Sequence, residues 1–200
     1  MTKVPGRSTR RVRRALIGLL ALGLVPVLSG CVLVGDSVSA FMTPELHTVV
    51  PIVDADFGRA LEQHGWQTQE SGAQAVRHWE GLHPPWIIIQ VGANDVNATG
   101  DPNVWRASIR DTLASIPASQ CVGWVLVYDV RQPTRSDQFN AIVEQEVTST
   151  HAKHVFVPWP DQVKRGGMLI DAVHLSTLGK TTLTHLIGQT VATFGRMGCH

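Results

Sequence analysis

Positive charge is scarce beyond the first fourteen residues of this 200-residue chain. Lys3, Arg7, Arg10, Arg11, Arg13 and Arg14 account for six of its seventeen Lys and Arg, leaving eleven basic residues against sixteen acidic ones and a net of about −5 for the remainder. A nucleic-acid binder needs a basic stripe, and its absence excludes nucleic acid as a partner. Cysteine is equally sparse, at Cys31, Cys121 and Cys199. His151, His154, His185 and His200 stand at no ligand spacing with cysteines or acids, which argues against a metal centre. Repeats, low-complexity tracts and interdomain linkers are also lacking, so a single domain is expected, and a 44% hydrophobic composition suffices for its core.

Behind the basic cluster, residues 15–28 form an uncharged apolar run (ALIGLLALGLVPVL). Its length suits the apolar region of a signal peptide and is short for a spanning helix. The run ends in Leu28-Ser29-Gly30-Cys31, which resembles a bacterial lipobox. That resemblance implies a leader over residues 1–31, with Cys31 as the lipidated first residue of an exported, outward-facing, membrane-attached protein. An uncleaved N-terminal anchor and a secreted protein are the alternatives, since residues 15–34 carry no charge. With Cys31 lipidated, Cys121 and Cys199 remain as a pair able to bridge outside the cytoplasm or to stay as buried thiols.

From residue 32 onward, short β-branched runs alternate with helical patterns. Strands are expected at Val32–Gly35, Thr48–Ala55, Trp86–Val91, Cys121–Val130 and His154–Trp159, and helices over Ser39–His47, Val104–Ile116, Asp137–His151 and Ser176–Phe194. The segment between Asp56 and Leu82 fits helical spacing only in part, because Gly65 and Gly72 interrupt it. This alternation implies a three-layer α/β/α domain with a five-stranded parallel sheet. The flavodoxin-like order 2-1-3-4-5 makes the second strand an edge, where Pro51 is tolerable, and sets the ends of strands one and three side by side.

Three groups then call for one explanation: Ser37 after the first strand, Asn94 after the third, and Asp171-x-x-His174 before the last helix. Cleaving an ester needs a nucleophile, a base, a group that orients the base, and donors for the oxyanion. Ser37 supplies a hydroxyl at a strand–helix turn, His174 a base, Asp171 a carboxylate within reach of the imidazole, and Asn94 an amide donor. This chemistry requires neither metal nor cofactor. The Gly-x-Ser-x-Gly elbow of α/β-hydrolases is absent. Arg59 is expected in a surface salt bridge, or steadying an anionic substrate group. Asp36 is expected in the turn and Asp95 as an anchor of its own loop, while Trp159 and the loops 97–103 and 131–137 are expected to line the cleft.

Gly35-Asp36-Ser37-Val38, Gly92-Ala93-Asn94-Asp95 and Asp171-Ala172-Val173-His174-Leu175 together resemble the three sequence blocks of the SGNH (GDSL-type) serine esterases. Val53-Asp54-Ala55 followed by Gly58-Arg59 is similar to SGNH domains related to membrane acyltransferases. The resemblance spans nearly the whole chain after the leader. It implies a Ser37-His174-Asp171 triad working through an acyl-enzyme, and an oxyanion hole formed by the Ser37 N–H, the Asn94 side chain and a glycine N–H. Gly58 is favoured for that glycine because it directly follows the second strand, and Gly72 is its rival. The expected function is hydrolysis of carboxylic, short-acyl esters, small molecules or cell-envelope components, by a monomer. An O-acyltransferase on envelope carbohydrate and a catalytically silent envelope-binding protein are the alternatives.

Overall fold

A computed structural model of the chain describes residues 31–98 and 100–199. The leader expected over residues 1–31 lies outside them except for its last residue, Cys31, and His200 also lies outside. Five parallel strands form one sheet: β1 (Val32–Gly35), β2 (Ile52–Ala55), β3 (Trp86–Gln90), β4 (Cys121–Val125) and β5 (His154–Val157), in the order β2-β1-β3-β4-β5. The three inner strands are buried throughout, whereas β2 and most of β5 are half-buried, as edges should be.

Side-chain alternation along the strands divides the core in two. Val32, Val34, Ile87, Ile89, Val122 and Trp124 face the layer built from α3 (Gly72–Glu80), α5 (Pro102–Ala114) and α6 (Pro133–Thr150). Leu33, Ile88 and Val125 face the opposite layer, of α1 (Ser37–Ala40), α2 (Thr43–Leu46), α7 (Trp159–Val163) and α8 (Thr177–Arg196). A helix α4 (Ala93–Ala98) leaves the end of β3. Cys121, at the start of β4, is disulfide-bonded to Cys199 beyond α8, with Cα atoms 6.1 Å apart. The bridge ties the last helix to the sheet.

Several boundaries differ from expectation. The helix expected over Ser39–His47 is two short ones, because Pro44 has no N–H to give and starts a new helix as its second residue. Thr48 and Val49 continue the turn after α2, so β2 begins only after Pro51. Strands β4 and β5 stop at Val125 and Val157, short of the expected Val130 and Trp159. Proline at the first helical position opens α6 at Pro133, earlier than Asp137. Helices α4 and α7 lie where loop or strand was expected.

Register is what positions the site. Gly35 pairs with Ala55 on one side and with Gln90 on the other. Three adjacent strands therefore end at one level, and residues 37, 58 and 94 leave the sheet within a few positions of that line. Asp36 N–H then donates to Gln90 O (3.1 Å) and Asp56 N–H to Gly35 O (3.2 Å), prolonging the alignment past the strand ends.

Candidate active site

Ser37 is the first residue of α1. Asp36 caps that helix, its Oδ1 accepting the Val38 N–H at 2.9 Å, and the turn brings the helix hard against the strand. A Cβ on Gly35 would stand 2.4 Å from Ser39 Cβ, so only glycine allows so short a strand-to-helix turn. The Ser39 hydroxyl in turn donates to Gln90 Oε1 at 2.6 Å, locking α1 to the end of β3.

His174 arrives from the opposite end of the sequence. Its Nε2 lies 3.4 Å from Ser37 Oγ, and its Nδ1 lies 2.7 Å from Asp171 Oδ2. The other Asp171 oxygen accepts the backbone N–H groups of Val173 and His174, both at 2.8 Å. One carboxylate thus shapes the turn and meets the ring. Burial works to raise the Asp171 pKa, but these N–H donors and the imidazole prevail and hold it down at about 2. With Asp171 ionised, the Nδ1 proton points at it and the Nε2 lone pair is free to face the serine hydroxyl. The segment is pinned by the Ile170 N–H on His174 O (2.9 Å) and the Val130 N–H on Ala172 O (3.1 Å).

Asn94, in the first turn of α4, donates its side-chain N–H to Arg59 O at 2.8 Å. That bond ties the loop after β2, which carries Gly58, to the start of α4. Gly58 has φ +74°, a left-handed conformation suited to glycine. Its rival Gly72 opens helix α3 and packs against Val91 and Ala60. Asp95 holds the same loop from behind, both of its oxygens accepting the Leu61 N–H at 3.1 Å.

Arg59 departs from expectation. It is fully buried rather than in a surface salt bridge, and it faces no open space where a substrate anion would sit. Its guanidinium donates to Gly35 O (3.3 Å), Asp54 O (3.0 Å), Asp54 Oδ1 (2.9 Å), Thr68 Oγ1 (2.9 Å) and Glu70 O (3.3 Å). Asp56, also buried, accepts from the backbone N–H groups of Gln67 and Thr68 and from the Thr68 hydroxyl. These two side chains fasten the loop 56–70 to the ends of β1 and β2. Sequence spacing gave no sign of the clamp, because its partners are mostly backbone carbonyls and N–H groups.

Two buried carboxylates lie behind the site. Burial pushes the Asp36 carboxyl up to about 6, its Oδ2 having no hydrogen-bond partner. Burial, with Asp36 adding to it, pushes Asp95 up to about 7. Trp159 is buried instead of lining an open cleft. Together with Val38, Ala93, Val127, Val173 and Leu183 it walls a small cavity. Among the described residues no group of three or more His, Cys, Asp or Glu side chains is placed to hold a metal ion.

No protein-family model matches the chain, and no curated protein matches it by sequence. Solved structures do match it in three dimensions. The catalytic C-terminal domain of Streptococcus pneumoniae peptidoglycan O-acetyltransferase A, carrying a methylsulfonyl adduct, superposes with a TM-score of 0.60 at 16% identity, over 82% of this chain and 90% of that one. A member of the lipolytic G-D-S-L family from Veillonella parvula gives 0.60 at 10% identity, over 82% and 96%. The esterase EstA from Pseudoalteromonas sp., inhibited by monoethylphosphonate, gives 0.57 at 13% identity, over 84% and 99%. These likenesses establish the fold: the chain has the three-layer architecture of SGNH (GDSL-type) hydrolases.

Proposed function

We propose that this protein cleaves short-acyl carboxylic esters through a serine nucleophile. The observation that carries the proposal is the continuous line from Ser37 Oγ through the His174 ring to Asp171, with steps of 3.4 and 2.7 Å, at the ends of β1 and β3. Ser37 gives its proton to His174 Nε2 as its oxygen attacks the ester carbonyl. Asp171 stabilises the imidazolium that forms. The Ser37 and Gly58 backbone N–H groups and the Asn94 amide receive the negative oxygen of the tetrahedral intermediate. Its collapse breaks the C–O bond, the leaving alcohol takes the proton from Nε2, and an acyl-Ser37 ester remains. Water then enters on the same side, gives a proton to His174 and adds to the acyl carbonyl. Collapse breaks the acyl–Oγ bond, His174 returns the proton to Ser37 Oγ, and the carboxylic acid leaves.

The small cavity supports a short acyl group. Its walls include Val38, Ala93 and Val173, each one residue from Ser37, Asn94 or His174, and its free space suits a methyl group rather than a long chain. The likeness to the O-acetyltransferase domain supports a second reading with the same residues, in which a sugar hydroxyl replaces water as acceptor. A leader over residues 1–31 with attachment through Cys31 belongs to the proposal on the strength of the sequence. Cys31 directly precedes β1, at the far end of that strand from Ser37.

The test is hydrolysis of a p-nitrophenyl ester series from acetate to decanoate by the purified protein, beside Ser37→Ala. The expected profile is highest at acetate and disappears in the variant. Activity persisting in Ser37→Ala, or rising with chain length, rejects the proposal. A folded protein that turns over only when an acceptor sugar is added shifts it to transfer.

A further inference from the structure

Three aromatic rings run outward from the imidazole. Phe41 lies one helical turn beyond Ser37, with its N–H on Ser37 O at 3.0 Å, and its ring stands edge-on to His174 with centroids 5.1 Å apart. Phe57 follows at 4.9 Å, also edge-on, and Trp66 stacks on Phe57 at 6.4 Å with 28° between the planes. The Trp66 N–H donates to Phe57 O at 2.9 Å, so the last two rings share one backbone anchor in the clamped loop. Trp66 lies directly over Gly58, where a Cβ would come within 2.3 Å of the indole Nε1. Yet Phe41 is 48% exposed and Trp66 73% exposed. A contiguous apolar surface that begins at a reactive group, stands on buried supports and faces water is the mark of a ligand subsite.

The geometry points to a sugar-ring subsite at Phe41, Phe57 and Trp66 that holds the alcohol half of the ester. This inference rests on the proposed hydrolase reading and adds the substrate class. Sheet order separates the two halves of the substrate. The small cavity is walled from the β4 side, by residues 125–128, whereas Phe57 and Trp66 come from the loop after β2, on the other side of Ser37. The acyl group and the alcohol therefore leave the nucleophile in opposite directions. An open strip of rings covers only one side of its ligand, which suits a pyranose. The C–H face of the sugar lies on the electron-rich aromatic face, and its hydroxyls stay in water. An alkyl chain on the same strip would keep half of its surface wet. A membrane surface is disfavoured as well, since the chain beyond its N-terminal cluster is net acidic and offers little attraction to anionic lipid.

The test is binding of an O-acetylated chitotriose to full-length Ser37→Ala, followed through the indole N–H resonances. The Trp66 signal should shift saturably, and adding Trp66→Ala should weaken binding roughly threefold to tenfold. Leu82→Ala, at an exposed apolar site just beyond the C-terminal end of α3, serves as the control. Absence of a saturable shift, equal affinity in Trp66→Ala, or a Trp66 shift produced by phosphatidylglycerol vesicles and not by the sugar overturns the subsite. The two claims fail separately. Ser37-dependent esterase activity without Trp66-dependent sugar binding removes only the subsite, and Trp66-dependent binding without any esterase activity removes only the hydrolase reading.

Discussion

The two walls of the crevice are built on opposite plans. The loop 56–70, which carries Gly58 and Trp66, is held by Arg59 and Asp56, two charged side chains with almost no exposure and nine hydrogen bonds between them. The segment 171–174 is half in water, and Asp171 folds it from within by accepting two N–H groups of its own turn. The difference follows from the tasks proposed for each wall. An oxyanion hole works only if its donors are already in place when charge develops, so its loop needs support that water cannot replace. A base has to reach substrate and exchange protons with solvent, so an exposed turn that carries its own orienting carboxylate serves it better.

The contrast predicts that mutations will separate catalysis from stability along the same division. Asp171→Asn should have the largest effect on rate, lowering kcat by about 10³–10⁴-fold through loss of the imidazolium partner. Its melting temperature should move little, because the carboxylate is half-exposed and part of its turn survives. A rate loss under tenfold, measured with p-nitrophenyl acetate, would take Asp171 out of the relay. Since Asp171 stays ionised down to about pH 2, any fall in activity between pH 7 and pH 4 belongs to another group.

Arg59→Met should show the reverse balance. Removing the guanidinium leaves the Asp54 carboxylate without its charge partner and takes one donor from each of the carbonyls of Gly35, Asp54 and Glu70, at a cost of about 3–5 kcal/mol by denaturant unfolding. Activity should fall only as far as the loop loosens. A variant as stable as the parent would show that the clamp is incidental.

The smallest predicted effect is on pH dependence. The ordinary aspartate pKa is about 3.9, and in the folded chain Asp36 sits at about 6 and Asp95 at about 7. Protons that the unfolded chain has lost by pH 5 are still held in the native state. The stability these groups contribute is therefore fully present below about pH 4 and is lost as pH rises through 6 to 7. Melting temperature should decline from pH 5 to pH 8, and Asp95→Asn should flatten part of that decline. An identical pH profile in the variant would contradict the raised Asp95 pKa.

The fold was legible because its signals are local. Ile87-Ile88-Ile89 reads as a buried parallel strand whatever surrounds it, and Ser176 marks the start of α8 by capping chemistry alone. Ser37, Asn94, Asp171 and His174, the residues of the proposed chemistry, stood out in the sequence for a related reason. Each follows a strand or precedes a helix, and strand order then gathers them at one rim. Arg59 misled because a lone arginine in a polar stretch has the same sequence appearance in water as inside a clamp. That Gly72 opens a helix was not legible either, because Gly65 and Gly72 interrupt the helical spacing of that segment.

From the order of its residues alone, the chain determined a parallel α/β sheet in the order 2-1-3-4-5, because periodicity and turn chemistry act over a few neighbours and the handedness of crossovers does the rest. Tertiary structure decided what depends on contacts between distant segments. Such contacts include the Cys121–Cys199 bridge, the burial of Arg59 beneath the loop, the narrow cavity between Val38, Trp159 and Val173, and the three rings aligned beside His174. The Ser37–His174 contact likewise joins residues 137 positions apart. No local pattern encodes such a meeting, because burial and packing set its energy and both exist only after the chain has closed on itself.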